Sequence, residues 1–548
     1  MLKILLAIIF EFLTALGLGS FMIRKLGWQQ QVITLGETSC LGLFGLNVIA
    51  LSSHLFVPIS SYWTFPLSLG FAATGIWFGA KKLVVLPKIK LFLIVLAILP
   101  LILAWTALKS GIYYDTGLYH LPKMLWLKNE PVVLGLVNLH GRFGFPSVWQ
   151  ELSTYFWLPV LEFTASFSLN CTFVFILLIG LVEREIRAET KSYGFVLIAL
   201  IVILILFRTL FFWQLGSPAS DLPAALLSVL CTLLFLDAKD KPSARSCLRI
   251  FSIWAITIKL SQVPLLLMPI FLEISRFRNF TLDSRSKRVF ILVGFYLSIW
   301  MATNILVSGC VVYPLAKSCI SRIPWSVSAM DAQESAAWIR SWARWPEQNK
   351  DLVLSSWHWI KPWAKANFKN FPLVGSSIFI FVEVFYFLVL PLKRKRDAKG
   401  LLPPLLILCG GILFWFLQAP DFRFGYGYFA SALIIIYGGY LNKLLRTAPH
   451  IQAYILNICI LVICTFGLMQ FLGWPGSFED LNKEWPAVPQ AKFVHRVSTS
   501  GQIFQKPISG DQCWLIETPC TPYFKPSLGI ENYGLWSIVS DSHVNVPF

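Results

Sequence analysis

Charge is what this chain of 548 residues has least of. Only 14% of it is Asp, Glu, Lys or Arg, against about a quarter in soluble globular domains. With 56% hydrophobic residues in repeated apolar runs, that scarcity excludes a soluble domain, because such runs are long enough to cross roughly 30 Å of hydrocarbon. Backbone polar groups in lipid must be paired within each segment, so the expected fold class is an all-α integral membrane protein. No Walker or Rossmann glycine spacing occurs, which argues against a nucleotide site. There is no internal repeat, low-complexity tract or flexible domain linker. Histidine is scarce, seven in all. The 11 cysteines stand mostly singly in apolar segments, where a thiol behaves as a small hydrophobe. No cleavable signal peptide is expected either, since residues 4–23 exceed a signal core and run into Arg24-Lys25; they read as a retained helix.

The apolar runs that are present fall near 3–23, 36–58, 62–80, 89–108, 152–182, 195–213, 220–237, 248–274, 289–308, 372–391, 401–418, 424–441 and 451–473. Pro264 opposes a continuous helix, so 248–274 reads as two short helices broken around Lys259–Pro264, and the total is about 14 crossings. A net charge of +18 would suggest nucleic acid in a soluble protein. Here the cations sit in short loops, which is the signature of topology and not of a nucleic-acid partner. With Lys81-Lys82 in the cytoplasm, strict alternation brings to the same side Arg24-Lys25, Arg184 with Arg187, Lys239–Arg249, Arg276–Arg288, Lys393–Arg396, and Lys443 with Arg446. The chain therefore divides into membrane helices (1–108), an outer loop (109–151), membrane helices (152–308), a second outer loop (309–371), membrane helices (372–473) and a small outer cap (474–548). In an oxidising compartment Cys513 and Cys520 of the cap are candidates for a disulfide. For Cys310 and Cys319 a bond and two free thiols remain equal alternatives.

Polar, aromatic and glycine residues crowd the stretch Tyr113–Trp149. Asp115 directly follows an outward helix. It can cap a new interfacial helix, with Leu118, Leu121 and Leu125 on the apolar face and Trp126 at the headgroups. It can equally serve as a general base for a substrate hydroxyl. His120 can orient, donate or bind a metal there, or simply bond backbone. In Asn138-Leu139-His140-Gly141-Arg142-Phe143-Gly144-Phe145-Pro146, Arg142 offers a planar fork for phosphate or carboxylate, and His140 lies beside it. The alternative there is a tight surface loop. Lys259 within an apolar run is a functional candidate by default, against a snorkelling side chain. Asp421 and Arg423 form a second acid–base pair, or a local salt bridge. Asp221 is most simply a helix N-terminal acid. The inferred topology places all seven ionisable groups Asp115, His120, Arg142, Asp221, Lys259, Asp421 and Arg423 on the non-cytoplasmic side, where cations suit a phosphate.

These motifs, Asp115-Thr116-Gly117-Leu118-Tyr119-His120-Leu121-Pro122 with Lys259-Leu260-Ser261, Ala419–Gly425 and Cys513-Trp514, resemble an uncharacterised family of bacterial polytopic membrane proteins. That family is itself similar to the GT-C glycosyltransferases. The resemblance implies a GT-C-like fold, a catalytic acid in the first large outer loop, and sugar transfer from a polyprenyl-phosphate donor at the periplasmic face of the inner membrane. Carried over, Asp115 is the base and Arg142, Lys259 and Arg423 hold the phosphate, with an envelope glycan, lipid or protein as acceptor. Two departures stand against a full match. Asp115-Thr116-Gly117 replaces the acidic pair of many members, which leaves a divalent metal only a candidate cofactor. Three extra helices also precede the helix before the loop. A transporter or flippase, with the broken helix at Lys259–Pro264 as its centre, and an assembly factor for lipid-linked glycans are the alternatives.

Overall fold

The computed structural model describes residues 1–28, 33–187, 193–209, 211–275, 283–367, 400–447 and 484–541, with single positions between 454 and 467. The expected runs near 372–391 and, for the most part, 451–473 lie outside the described residues, as do Arg276, Arg278 and Lys393–Arg396. The architecture is mostly helical. Helices α1 (Leu2–Leu26), α2 (Leu35–His54), α3 (Ser61–Val84) and α4 (Ile89–Lys109) lead to the first large loop. Short helices α5 (Leu121–Asn129) and α6 (Trp149–Tyr155) lie in and after that loop. Then come α7 (Phe163–Arg187), α8 (Tyr193–Thr209), α9 (Asp221–Asp237), α10 (Pro242–Ile258), α11 (Leu267–Ile274) and α12 (Ser284–Ser308). The second loop carries α13 (Ala329–Arg344), α14 (Lys350–Ser355) and α15 (Ile360–Asn367), before α16 (Leu402–Gln418) and α17 (Phe422–Thr447).

Among the described residues, six helices are long and apolar enough to cross a membrane: α1, α2, α4, α7, α12 and most of α17. Shorter apolar helices cover 194–205, 260–274 and 402–418. This is the pattern of a multi-pass membrane protein. One expected run needs correction. Residues 152–182 do not form a single helix, because α6 ends at Tyr155 and α7 starts only at Phe163. The break at Lys259–Pro264 is present: α10 stops at Ile258, and a 3-10 turn over Leu260–Leu266 precedes α11.

Helix packing follows membrane rules, with small residues where backbones approach. A Cβ on Gly42 of α2 would stand 1.7 Å from the Ala15 carbonyl oxygen of α1, so only glycine permits that crossing. Polar contacts sort the helix ends into two groups. Arg184 at the end of α7 pairs with Glu37 at the start of α2 and, at 3.3 Å, with Asp237 at the end of α9. Arg288 at the start of α12 donates to the Lys25 carbonyl at the end of α1 (2.8 Å), and Lys82 of α3 donates to the Ile33 carbonyl. Arg184, Arg288 and Lys82 thus stand together at one end. The end of α4 and the starts of α9 and α17 point the other way, toward the loops.

The expectation of an all-helical fold fails in the cap. It contains two antiparallel hairpins, β1 (Phe493–Val497) with β2 (Ile503–Pro507) and β3 (Leu528–Tyr533) with β4 (Trp536–Asp541). Tyr533 pairs with Trp536, leaving a two-residue turn whose Gly534 has φ +58°, a left-handed conformation that glycine adopts freely. Water beside the cap removes the demand that each segment pair its own backbone, so strands are allowed there. The cap docks on the first loop through backbone bonds. Leu134 N donates to Ser537 O (2.9 Å) and Val539 N to Leu134 O (2.8 Å). Both disulfides form, Cys513–Cys520 and Cys310–Cys319.

Candidate functional site

Asp115 lies just beyond α4, at the start of a π-helical turn over Thr116–His120, a local geometry common at functional sites. Its side chain makes no cap bond, so the interfacial-helix reading of this residue does not hold. Leu118, Leu121 and Trp126 are buried in the protein and not turned to lipid. Instead the Asp115 carboxylate reaches two arginines. One oxygen lies 3.4 Å from Arg142 of the same loop, and the other lies 3.1 Å from Arg423 at the start of α17.

Aromatic rings cover the guanidinium faces and leave their edges for hydrogen bonds. Arg142 stands over Tyr119 (5.3 Å) and Trp338 (4.9 Å). Arg423 stands over Trp342 (4.9 Å), Phe424 (4.9 Å) and Tyr113 (5.8 Å), and it donates to the Tyr113 hydroxyl. Trp338 and Trp342, one turn apart on α13, are stacked at 6.3 Å with planes 12° apart. Asp421 braces Arg423 from behind: its carboxylate accepts from the Arg423 backbone N–H at 3.0 Å and lies 3.6 Å from Nε. The local salt bridge therefore exists, but it does not exhaust Arg423, whose Nε–H is buried without a hydrogen-bond acceptor.

Lys259 forms the second half of the cluster. It pairs with Asp221 at the start of α9, and its ammonium stands 4.2 Å from the centre of the Phe424 ring that Arg423 also stacks on. Asp221 further accepts from Gln214 Nε2 at 3.1 Å. The turn carrying Gln214 is held by Asn170 of α7, whose amide donates to the carbonyls of Gln214, Ser217 and Ala219 at 2.8–3.0 Å. Lys259 is thus neither free nor snorkelling.

His120 is buried beside Asp115, and its Nδ1 has no partner, as is also true of the Thr116 hydroxyl. Burial, reinforced by Lys259, Arg423 and Arg142, pushes the imidazole down to about 3 against the opposing pull of Asp115. It is neutral at physiological pH. Burial would push Asp115 up, but the neighbouring positive charges outweigh it and hold the carboxyl below its ordinary value. With His120 neutral, those charges are Arg423, Arg142 and Lys259. His140 is outside the cluster. Its Nδ1 accepts from the Arg142 backbone N–H (3.1 Å), its ring meets Phe143 and Tyr523, and burial lowers it to about 3. It shapes the turn that presents Arg142.

The structure thus joins Asp115, Arg142, Arg423 and Asp421 directly. It sets His120 beside them and Lys259 with Asp221 one ring away. Sequence reasoning missed Tyr113, Tyr119, Phe424 and above all Trp338 and Trp342. The one available signal for the tryptophans was their i, i+4 spacing in an otherwise polar outer segment. The cap also adds residues to this wall. Trp514 lies on Gly117, its backbone N–H donates to the Gly117 carbonyl (3.1 Å), and the Gln512 amide donates to the Tyr114 carbonyl (2.8 Å).

Among the described residues no three His, Cys, Asp or Glu side chains could share a metal ion. The donor set at Asp115 also fits one poorly, because both carboxylate oxygens face guanidinium groups. No curated protein and no solved structure matches the chain. Residues 1–430 match the family described as domain of unknown function DUF8201, and the chain belongs to that family.

Proposed function

We propose that this is a GT-C-like glycosyltransferase that moves a sugar from a polyprenyl-phosphate donor to an envelope glycan, lipid or protein acceptor, at the non-cytoplasmic face of the bacterial inner membrane. The observation that carries the reading is the convergence of Arg142 and Arg423 on the Asp115 carboxylate, with Lys259 one ring away across Phe424, at one end of an apolar bundle. Guanidinium groups with stacked faces and hydrogen-bonding edges suit a phosphate. The bundle around them suits the isoprenoid tail of the same molecule.

In this reading the acceptor oxygen attacks the anomeric carbon with inversion, and its proton passes to the Asp115 carboxylate. The bond from carbon to the phosphate oxygen breaks, and the lipid phosphate departs with its charge held by the arginines and lysine. Without donor the same cations keep Asp115 ionised but weakly basic. A bound phosphate takes over their hydrogen bonds, which raises the basicity of Asp115 only when donor is present. Neutral His120 then orients a hydroxyl by hydrogen bonding. The test is transfer from a radiolabelled polyprenyl-phosphate sugar by the purified protein. Asp115→Asn is expected to lower the rate by about 10²–10⁴-fold. Unchanged envelope glycan in cells holding a normal level of Asp115→Asn would sink the reading.

One observation favours a second reading, a transporter or flippase for lipid-linked glycans. The chain breaks between α10 and α11, and the break carries a lysine paired with Asp221, as in substrate sites of broken-helix transporters. Movement of a fluorescent lipid-linked sugar across proteoliposomes, retained in Asp115→Asn and lost in Lys259→Met, would favour it.

A further inference from the structure

Glu11 is an acid in the middle of a membrane helix. It lies about 15 Å along α1 at 1.5 Å per residue, and it is fully buried. Its partners are two hydroxyls of α7: Ser168 Oγ lies 3.1 Å from Oε1, and Thr172 Oγ1 bonds Oε2. Helix α1 packs on α2, α3, α4, α7 and α12. The charged residues of those helices, Glu37, Lys81, Lys82, Lys90, Lys109, Glu183–Arg187 and Arg285–Arg288, stand at helix ends, as do Lys3, Arg24 and Lys25 of α1 itself and the titratable His54 of α2. Among the described titratable groups, the Cys171 thiol of α7 is close enough to feel the Glu11 charge, while its own hydrogen bonds go to the Leu103 and Leu215 carbonyls. No cation among the described residues pairs with the acid.

The hydrogen bonds count out for a neutral acid. Thr172 Oγ1 has its own acceptor in the Ser168 carbonyl at 3.4 Å. It can therefore accept a hydrogen bond from a protonated Glu11 Oε2 and donate its own to the backbone carbonyl. Ser168 Oγ donates to Oε1, and every group is then satisfied. An ionised Glu11 would accept hydrogen bonds from both hydroxyls and still lack a counter-charge among the described residues, in surroundings where an unpaired charge is far more costly than a retained proton.

We propose that Glu11 is a proton-binding site in the interior of the bundle. The protonated carboxyl joins α1 to α7 through Ser168 and Thr172, and loss of the proton leaves a charge there that no cation among the described residues offsets. The site is separate from the Asp115 cluster and stands whether or not the protein is a transferase.

Infrared spectroscopy of the full chain in liposomes tests it directly. At pH 7 the wild type is expected to show a protonated-acid carbonyl band that is missing in Glu11→Gln. Thr172→Val is expected to keep the band but shift it, since one hydrogen bond is gone. Dicyclohexylcarbodiimide, which reacts with protonated acids in apolar surroundings, is expected to label Glu11 at neutral pH and to lose that adduct as pH rises. Glu11→Gln is expected to unfold within a few degrees of wild type. A spectrum with no band assignable to Glu11 overturns the proposal. So does carbodiimide labelling that Na⁺ blocks at constant pH, which would make the occupant a metal cation. A Glu11→Gln variant that misfolds leaves the decision to the Thr172→Val shift, and no shift there overturns the proposal as well.

Discussion

Asp115 answers to two arginines that lie 281 positions apart in the chain, and it is the carboxylate they share. At residue scale the same neighbourhood makes stability depend on acid. His120 and His140 are both held by burial at about 3, below their ordinary value of about 6.5. A group depressed by folding contributes stability that is whole above its unfolded value and lost as pH falls toward its folded one. The contribution of these two histidines to the unfolding midpoint in detergent is therefore expected to be flat above about pH 6.5. Below that it falls, with up to about 1.4 kcal/mol per pH unit lost for each of these histidines. Asp115, also held low, adds a further loss below its ordinary range. His140→Gln is expected to make the slope between neutral and mildly acid pH shallower, as thermal unfolding at stepped pH would show. An unchanged slope would refute this account of His140.

At the scale of elements, the π-turn over Thr116–His120 and the cap are built to each other. A Cβ on Gly117 would stand 2.4 Å from the Trp514 ring. Gly117→Ala is thus expected to push the cap away, at a cost of about 1–3 kcal/mol for overpacking. Limited proteolysis should then cut the cap faster than in wild type, and adding Trp514→Ala should return the turn to its place and restore activity in part. What was legible in the sequence follows the same division. Most helix spans among the described residues (though not 152–182), the Lys259 break and the polar stretch around Asp115 could be read because each is a local pattern of apolar runs, a proline or an excess of polar residues. The strands of the cap could not, since Phe493–Val497 and Ile503–Pro507 are only five residues each. The tryptophans of α13 were missed because their value lies in which guanidinium each covers, a contact across 196 positions between Arg142 and Trp338. The capping role considered for Asp115 failed for a like reason, as two distant cations attract the carboxylate more strongly than nearby backbone N–H groups do.

The whole molecule has a basic end and an end that carries the loops, and the proposed function needs the second to face away from the cytoplasm. The described free cysteines, Cys40, Cys171, Cys231, Cys247 and Cys409, are buried, so introduced ones can report sidedness. Tyr523→Cys, at a position 53% exposed in the cap, is expected to react with an impermeant maleimide in intact spheroplasts. Lys81→Cys is expected to react only after lysis. The opposite pattern would move the site to the cytoplasm and remove the envelope acceptor from consideration.

The bond between Gly117 and Trp514 also sets a clock. A ribosome adds about 5–20 residues per second, so roughly 20–80 s separate the synthesis of these two partners. Through that interval the turn bearing Asp115 is already outside its helix and has nothing over it. A nascent chain halted before the cap is made should therefore hold every membrane helix and every cation of the site, yet remain inactive.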